Sequence, residues 1–392
     1  MTNNNESKVL NVPNLRFPEF SGEWIDETLG NIAKIVGGGT PDTNIQKYWN
    51  GNIQWFTPSE IGRDKYVTYS LRTISEEGLN KSSAKFLPIG TILLSSRATV
   101  GECSINNMEC TTNQGFQSLI AKDNFSNEFL FYLIQTKRKE LIRKACGSTF
   151  LEISANEVRK IKITVPTRKE QEKISKLLAL LDKRIATQNK IIEDLKKLKC
   201  AIIEKLYSKI QGKEYSYGQL LDVVNERNKQ MEYSNILSAS QEKGMVNRDD
   251  LNLDIQFERN NINTYKIVRA GDYVIHLRSF QGGFAFSDKQ GVCSPAYTIL
   301  RPNCLLEHGY LSYYFTSQRF IKSLIIVTYG IRDGRSINVE EWLNMKVVIP
   351  SKEHQLHTMN ILKSINGKIV NEETYATCLS NQKQYLLRQM FI

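Results

Sequence analysis

Apolar residues recur at alternating steps of four and three positions through one long stretch in the middle of the chain. Only a glutamine and a lysine interrupt the series, which is Ile174, Leu178, Leu181, Ile185, Gln188, Ile192, Leu195, Lys199, Ile202 and Leu206. This spacing places one apolar stripe along a helix and is typical of a coiled coil. The pattern therefore predicts a long amphipathic helix over residues 166–207.

The same pattern occurs again near the end of the chain, 184 positions later and without a gap. Its series is Thr358, Leu362, Ile365, Ile369, Glu372, Ala376, Leu379, Lys383, Leu386 and Met390. The interior polar breaks, Glu372 and Lys383, fall where Gln188 and Lys199 fall in the first copy. Residues 350–391 are thus predicted to form a second helix, and each helix of about 40 residues would be roughly 60 Å long.

Two interpretations of the polar breaks are open. If the helices pack antiparallel, Gln188 would lie near Lys383 and Lys199 near Glu372, and these residues could then fix the alignment at some cost in stability. Alternatively, the polar residues merely occupy a hydrated part of the seam.

The segments before the two helices combine short β-branched apolar runs with one helical pattern each. The runs are 90–95, 117–121 and 161–165 in the first segment and 272–277, 297–301 and 345–349 in the second, and the helical stretches are Asn127–Lys144 and Gly309–Leu324. This mixture predicts two α+β domains. Residues 86–97 and 267–278 share an apolar pattern, a glycine and an arginine, so the hydrophobic frame repeats while the polar content differs.

These patterns define the expected organisation of the chain. Two similar globular domains, residues 15–166 and 212–350, are each followed by a long helix, residues 167–211 and 351–392. The expected fold class is α+β, with two long antiparallel coiled-coil helices and a pseudo-twofold internal repeat. A length of 392 residues suits two such domains.

Neither the composition nor the beginning of the sequence points to a membrane or to secretion. No run reaches the ~18–20 apolar residues of a membrane span, and the polar first residues lack a signal-peptide pattern. The cysteines form no CxxC pair, which indicates reduced thiols rather than disulfides or structural zinc. A cytoplasmic location is expected.

The formal net charge of +11 suggests a polyanionic partner. Much of this excess lies between Arg168 and Lys209, whereas the globular segments are only mildly basic. Phosphate neutralisation alone would therefore give the globular segments modest affinity. Either they read bases with few phosphate contacts, or a partner protein supplies more of the electrostatics.

The sequence contains none of the common catalytic patterns, such as HExxH or GxSxG. Residues 37–41, Gly-Gly-Gly-Thr-Pro, are followed by no phosphate-loop motif and predict a turn. His354 and His357 share a helix face without a third ligand, which favours solvated side chains over a metal site. A methyltransferase would need a cofactor loop and an Asn/Asp-Pro-Pro-aromatic motif, and a nuclease would need carboxylates clustered near a lysine on a sheet. No catalytic residue, metal or bound cofactor is therefore expected.

Several short motifs occur in a fixed order along the chain. They are Val12–Phe17, Gly38–Pro41, Tyr48–Gly51, Ile53–Phe56, Thr112–Phe116 and Ile163–Pro166, the last followed by Glu170 and Gln171. Together with the two-unit plan, these motifs closely resemble the specificity subunit of type I restriction-modification enzymes across the whole chain. The second unit departs from the pattern because it lacks Gly-Gly-Thr-Pro and Asn-Gln-Gly.

The resemblance implies a non-catalytic subunit that binds double-stranded DNA. In that family each globular unit is a target recognition domain that reads one half of a split DNA sequence, and the antiparallel helices set the gap. Two adenine-N6 methyltransferase subunits dock there, joined by motor-nuclease restriction subunits. S-adenosylmethionine, Mg²⁺ and ATP are accordingly expected on the partner subunits.

Candidate base-reading residues are polar side chains in loops that could reach the major groove. They are Thr57, Ser59, Arg63, Arg97, Thr99, Asn113 and Gln114 in the first unit, and Arg278, Ser279, Gln281, Arg332, Arg335 and Asn338 in the second. A structural role is an open alternative for each, and loop bracing is the favoured interpretation for Asn113 and Gln114. Arg332 and Arg335, in a glycine-rich stretch, are the stronger candidates.

Two other classes of protein remain open. A DNA-modifying enzyme acting alone would need a cofactor site, for which the sequence has no motif. A coiled-coil scaffold that does not bind DNA would account for the helices but not for two differently decorated domains.

Overall fold

A computed structural model describes residues 11–147, 151–240, 243–251, 259–276, 283–329 and 336–392. The chain divides into two compact units. Unit 1 comprises residues 1–187 and 376–392, and unit 2 comprises residues 188–375. Each unit therefore contains part of both regions that the sequence predicts to be long helices.

The described residues in the globular part of unit 1 form short strands, two 3-10 turns and four α-helices. The strands are β1 (Ile25–Thr28), β2 (Ala33–Gly37), β3 (Trp49–Phe56), β4 (Tyr66–Val67), β5 (Arg72–Ile74), β6 (Ile92–Leu94), β7 (Cys103–Asn106), β8 (Cys110–Thr112), β9 (Gln117–Ala121) and β10 (Lys162–Val165). The helices are α1 (Leu29–Ile32), α2 (Glu76–Asn80), α3 (Asn127–Lys144) and α4 (Ala155–Arg159). One sheet has the order β2-β9-β6-β7-β4, a second has the order β5-β3-β8, and β1 pairs with β10.

Helix α3 supplies one side of the core of unit 1. The Ser126 hydroxyl begins the helix by accepting a hydrogen bond from the Phe129 amide at 3.3 Å, as expected for an N-cap. Residues 129–134 are buried, and they belong to the same apolar cluster as Ile92 and Leu119 of the large sheet. The predicted helix over residues 127–144 is confirmed.

Helix α5 (Arg168–Ser208) follows β10 and runs from unit 1 into unit 2. The next strands are β11 (Lys213–Ser216), β12 (Leu221–Val224), β13 (Leu237–Ser240), β14 (Gly244–Asn247), β15 (Lys266–Val268), β16 (Tyr273–Ile275), β17 (Phe284–Phe286), β18 (Gly291–Cys293), β19 (Thr298–Pro302), β20 (Thr328–Tyr329), β21 (Ser336–Ile337) and β22 (Lys346–Ile349). The remaining helices are α6 (Tyr310–Tyr314), α7 (Gln318–Ser323), α8 (Val339–Asn344) and α9 (Lys352–Gln389). The largest sheet of unit 2 has the order β12-β19-β16-β17, and β11 pairs with β22.

Aromatic side chains dominate the core of unit 2. Tyr217 and Trp342 stack with ring centroids 4.3 Å apart, and both are almost fully buried. The predicted single helix over residues 309–324 is wrong, because it is divided into α6 and α7. The Ser317 hydroxyl accepts a hydrogen bond from the Phe320 amide at 3.1 Å and so caps a new helix inside the predicted one.

The two long helices begin in the same way. In unit 1 the Gln171 side chain donates to the Pro166 carbonyl at 2.9 Å and accepts from the Ser126 amide at 2.9 Å. In unit 2 the Gln355 side chain donates to the Pro350 carbonyl at 3.0 Å and accepts from the Glu307 amide at 2.8 Å. Both helices agree with their predicted ranges to within three residues, and the buried glutamine fixes each helix to its globular domain.

The helices pack antiparallel, but in a different register from the one expected. Gln188 donates a hydrogen bond to the carboxylate of Glu372, and Lys199 Nζ donates to Asn366 Oδ1 at 2.8 Å. The expected partner of Gln188 was Lys383, eleven residues further along α9. Lys199 was expected near Glu372, six residues beyond Asn366, so neither polar break contacts its expected partner. In the observed register Lys383 forms an ion pair with Asp182 of α5 at 2.7 Å, which is stronger than a hydrogen bond to the neutral Gln188 amide.

Candidate nucleic-acid interface

Four loops of unit 1 meet on one side of the globular domain, and the glycines of residues 38–39 allow their close approach. The Gly39 amide donates to the Thr112 carbonyl at 2.8 Å, and Trp55 Nε1 donates to the Gly39 carbonyl at 2.9 Å. A Cβ atom on Gly38 would lie 2.0 Å from the Asn113 carbonyl oxygen, so only glycine fits at this position. The motif at residues 37–41 is thus a packing turn.

The loop formed by residues 112–115 is held by its own polar side chains. The Asn113 side-chain oxygen accepts from the Gly115 amide at 2.8 Å, and Gln114 Oε1 accepts from the Thr40 hydroxyl. The Ser96 amide donates to the Gly115 carbonyl at 2.8 Å. These bonds are the loop-bracing contacts expected of Asn113 and Gln114. A base contact by either residue stays a prediction, and Gln114 is the more exposed of the two.

Ser59 lies in a short 3-10 turn (Pro58–Glu60) next to this loop, and Thr57 precedes the turn as its N-cap residue. One carboxylate oxygen of Glu60 accepts from the Thr57 amide at 2.8 Å and from its hydroxyl at 2.6 Å. The other carboxylate oxygen accepts from the Leu71 amide at 2.6 Å. Ser59 is exposed, and its hydroxyl lies 3.1 Å from that of Thr57. The turn is therefore rigid and presents two hydroxyl groups.

The candidate arginines of unit 1 differ in how firmly they are held. Arg97 Nε lies 2.8 Å from Glu152 Oε1, and its side chain keeps 43% of its surface exposed. The Thr99 hydroxyl donates to the Ser95 hydroxyl at 3.1 Å, which orders the loop around Arg97. Arg63 is exposed. Arg97 is thus presented in a defined position beside the loop of residues 112–115.

The sequence patterns missed an exposed tip next to these loops. Tyr69 is 77% exposed and Leu71 is 88% exposed. The backbone between them is fixed, because the Ser70 amide donates to Gln54 Oε1 at 2.7 Å and the Leu71 amide donates to Glu60. A rigid loop that exposes two large apolar side chains suits contact with another molecule.

An arginine stacked on aromatic rings adjoins this tip. The Arg72 guanidinium carbon lies 3.7 Å from the centroid of the Trp49 ring and 5.4 Å from that of Trp55. The two tryptophan rings meet edge to face at 5.0 Å. Stacking of this kind holds a positive charge in place without a carboxylate. The motifs at residues 48–51 and 53–56 contain the two tryptophans, but no local sequence signal marked Arg72, because its stacking depends on contacts between separate strands.

Unit 2 allows a smaller part of its candidate site to be located. Asn338 is the N-cap of α8, where its side chain accepts from the Glu341 amide at 3.3 Å and donates to Glu341 Oε1 at 2.9 Å. These bonds give Asn338 a structural role. The other candidates, Arg278, Ser279, Gln281, Arg332 and Arg335, lie outside the described residues.

The described residues contain no group of histidine, cysteine, aspartate and glutamate side chains able to hold a metal ion. His354 and His357 are both exposed on α9, as the sequence predicts for solvated residues.

The cysteines are free thiols. Among the described helices, none is both long enough and apolar enough to span a membrane.

Comparison with protein families identifies the first part of the chain. Residues 21–197 match the type I restriction modification DNA specificity domain. The MjaIX specificity subunit of Methanocaldococcus jannaschii is 34% identical over 207 residues, which are 51% of this chain and 48% of that protein. The EcoR124I/EcoR124II specificity subunit of Escherichia coli is 31% identical over 188 residues, 46% of this chain and 45% of that protein. The chain thus spans about half the length of these relatives.

Solved structures support the fold over nearly the whole chain. The type I restriction-modification S subunit from M. genitalium has a TM-score of 0.53 at 15% identity and covers 97% of this chain and 99% of its own. A chain from a structural study of complex assembly and conformational transition in the type I R-M system has a TM-score of 0.63 at 15% identity, with 94% and 97% coverage. At these identities the similarity shows the fold alone.

Fold and site define an α+β protein with a repeated plan, in which a globular domain is followed by a long coiled-coil helix. Residues 21–197 match the DNA specificity domain, and two specificity subunits of type I restriction enzymes are similar to about half of the chain.

Proposed function

We propose that this chain is the DNA-recognition subunit of a type I restriction-modification complex, in which each globular domain reads one half of a bipartite target. The observation that carries the proposal is the repeated attachment of a domain to a helix, with Gln171 in unit 1 and Gln355 in unit 2 making equivalent bonds. The loops built on these two frames differ in polar content. A scaffold that does not bind DNA would have no use for two different surfaces on one frame.

The proposed interface of unit 1 is the cluster of four loops. It offers hydroxyl groups at Thr57, Ser59 and Thr99, an amide at Gln114, and a guanidinium group at Arg97. Arg97 and the Gln114 NH2 group can donate to base edges in the major groove. The Thr57 and Thr99 hydroxyls, which donate to Glu60 and Ser95, can accept from base edges, and the Ser59 hydroxyl adds a further polar contact. The cluster is braced from within, so the side chains are ordered before DNA binds, which lowers the entropy cost of binding.

For unit 2, the proposed base contacts rest on sequence alone. Arg332 and Arg335 flank Asp333 and Gly334 in the sequence, and arginine makes bidentate bonds to guanine. Arg278, Ser279 and Gln281 follow a strand in the repeated hydrophobic frame. Because the Asn338 amide is engaged in capping α8, that residue is the weakest of the candidates.

We also propose that the two helices bind two copies of an adenine-N6 methyltransferase subunit. Ile191 on α5 and Tyr375 on α9 occupy equivalent positions of the repeat, and their side chains are 42% and 38% exposed. Leu198, two turns from Ile191, is 51% exposed and lies on the same face of α5. Apolar residues repeated at equivalent positions suit two identical partners.

The wider assembly follows from this proposal. Restriction subunits would join through the methyltransferases, and the partners would carry S-adenosylmethionine, Mg²⁺ and ATP, in the cytoplasm. The chain itself would be non-catalytic, with target recognition domains at residues 15–166 and 212–350 and spacer helices at residues 167–211 and 351–392.

Sequencing of methylated adenines tests the proposal. Cells that express the chain with its methyltransferase should methylate two short motifs separated by a fixed interval of unspecified bases. Exchange of residues 212–350 for the equivalent domain of a relative should change one motif and leave the other intact, since the domains have separate cores. Methylation by the chain alone with S-adenosylmethionine, or a change in both motifs, would refute it.

A further inference from the structure

A polar cluster in unit 1 joins the globular domain to both long helices at once. Asp182 on α5 accepts a hydrogen bond from the Tyr132 hydroxyl of α3 at 2.6 Å. The same carboxylate forms an ion pair with Lys383 of α9 at 2.7 Å. Lys383 Nζ also lies 5.7 Å from the centroid of the Tyr132 ring. The three side chains therefore hold three helices together, and we refer to them as the joint.

The joint extends towards the proposed DNA interface. Lys65 Nζ donates to the Tyr132 hydroxyl at 3.1 Å and pairs with Glu128 at 2.6 Å. Tyr66, the first residue of β4, donates its hydroxyl to the same Glu128 carboxylate. Only one residue separates Lys65 from the candidate Arg63. A continuous set of polar contacts thus leads from this loop through α3 to the helix pair.

Two separate attachments hold the domain on α5. The first is Gln171, which bonds to Ser126 just before α3. The second is Asp182, eleven residues further along and therefore roughly 16 Å away. Ile174 and Leu178 lie between them in the apolar core. Because the globular domain is attached to α5 at both Gln171 and Asp182, it cannot easily rotate about the Gln171 attachment.

Unit 2 repeats this arrangement with one chemical difference. By the repeat, Asn366 corresponds to Asp182, Lys199 to Lys383 and Tyr313 to Tyr132. Lys199 Nζ donates to Asn366 Oδ1 at 2.8 Å and lies 5.3 Å from the centroid of the Tyr313 ring. The lysine and the aromatic ring are kept, but a neutral amide stands where unit 1 has a carboxylate. A hydrogen bond between two charged groups is stronger than one to a neutral oxygen.

We infer that the joint is a positioning device that fixes the angle of the first recognition domain on the helix pair, and with it the length of the interval between the two half-sites. The inference rests on the proposed function and adds named residues to it. One base pair advances ~3.4 Å along the duplex. A small rotation of a domain that reaches out to the DNA is enough to cause such a displacement, so the angle needs to be held tightly.

The test is the Asp182→Asn variant of the chain in the complete complex with its methyltransferase. This substitution replaces the carboxylate by the neutral amide that Asn366 provides in unit 2. The bases of both half-sites should stay the same. Sites whose interval is one base pair shorter or longer should be methylated roughly tenfold more often than by the wild type, because the charged bond no longer opposes rotation. Asp182→Glu keeps the carboxylate and should keep the interval narrow.

A second variant covers the case in which Asp182→Asn fails to fold. Tyr132→Phe removes only the hydroxyl that reaches Asp182 and should also widen the set of accepted intervals. The matched control is Asn366→Asp, which adds a carboxylate in unit 2 and should leave the interval unchanged or narrower. Variants that lose methylation equally at all intervals would overturn the inference, since the joint would then serve stability alone. A wild-type complex with no bipartite motif would instead refute the proposed function.

Discussion

Arg16 and Glu170, which are 154 positions apart, form an ion pair with two parallel bonds. Arg16 Nε and Nη2 each lie 2.8 Å from one oxygen of the Glu170 carboxylate. Trp24 Nε1 donates to the same carboxylate at 3.3 Å, and Glu170 is only 1% exposed. Arg16 thus fixes the motif at residues 12–17 to the first turn of α5, which gives this motif a structural rather than a DNA-reading role.

Arg16→Ala should destabilise unit 1 by ~3 kcal/mol, because it leaves a buried carboxylate without its cation. Hydrogen exchange of α3 and the start of α5 would measure this loss. Arg168→Ala is the matched control, since Arg168 pairs with Glu172 on the surface at 2.7 Å, and its effect should stay below ~1 kcal/mol. Equal effects of the two variants would contradict the structural role of Arg16.

Arg97→Ala should relax the preference at one position of the first half-site and cost ~1–3 kcal/mol of specific binding. Arg159→Ala removes the same charge outside the loop cluster and should leave the preference intact. Competition between target and mixed-sequence duplexes would measure both. If Glu152→Gln alone reproduced the loss, Arg97 would act through its ion pair and not through a base.

The double variant Tyr69→Ala, Leu71→Ala should weaken binding of the target duplex while the melting temperature stays unchanged. Both side chains are exposed, and exposed substitutions usually alter stability by less than ~0.5 kcal/mol. Ile25→Ala serves as control, because this residue is 65% exposed but lies on β1. Wild-type affinity of the double variant would remove the tip from the proposed interface.

Replacement of both Ile191 and Tyr375 by Glu should weaken assembly with the methyltransferase by ~2 kcal/mol or more, because a charge would enter an apolar contact. The control, Lys190→Glu, places the same charge one residue away on α5. Light scattering of the purified mixture would give the stoichiometry. Unimpaired assembly of the double variant would show that the partner binds elsewhere.

The polar contact in the helix seam should weaken in acid. A hydrogen bond from Lys368, and a second one from Gln188, lower the pKa of Glu372 below its ordinary value of 4.5. A carboxylate whose pKa is lowered on folding stabilises the folded state above its unfolded pKa, and this contribution is lost as the pH falls through the lower, folded value. Wild type and Glu372→Gln should therefore differ in thermal stability near neutral pH and converge well below pH 4.5. A difference that persists in acid would exclude this carboxylate as its cause.

The two long helices were predictable because apolar residues recur along their seam over many turns. The spacing of these residues is local and is enough to determine a long amphipathic helix. Their register was not predictable from the same pattern. Glu372 and Lys383 lie three turns apart on the same face of α9, so the spacing alone allows either of them to contact Gln188. Contacts between residues far apart in the sequence determine that Gln188 contacts Glu372. The break at Ser317 was missed for a similar reason, since a hydroxyl in an aromatic stretch can either face solvent or cap a new helix.

Part of the candidate site could also be read from the sequence. The loop at residues 112–115 and the turn at residues 38–41 carry glycine and asparagine in patterns with local meaning, and the two loops do meet. The tip at Tyr69 and Leu71 has no such pattern. Its shape depends on Gln54 and Glu60, which accept hydrogen bonds from its backbone across two separate loops.

Unit 1 draws on both ends of the chain, and this has a consequence for its synthesis. Met390 and Phe391 belong to the apolar core of unit 1, and the Phe391 ring stacks on that of Phe129 at 5.2 Å. A ribosome makes these residues after all of unit 2, so the first-made domain cannot complete its core until translation reaches them. Contacts of such long sequence separation form slowly. A nascent or truncated chain would expose apolar surface in unit 1, so chaperones and proteases could distinguish it from the finished protein.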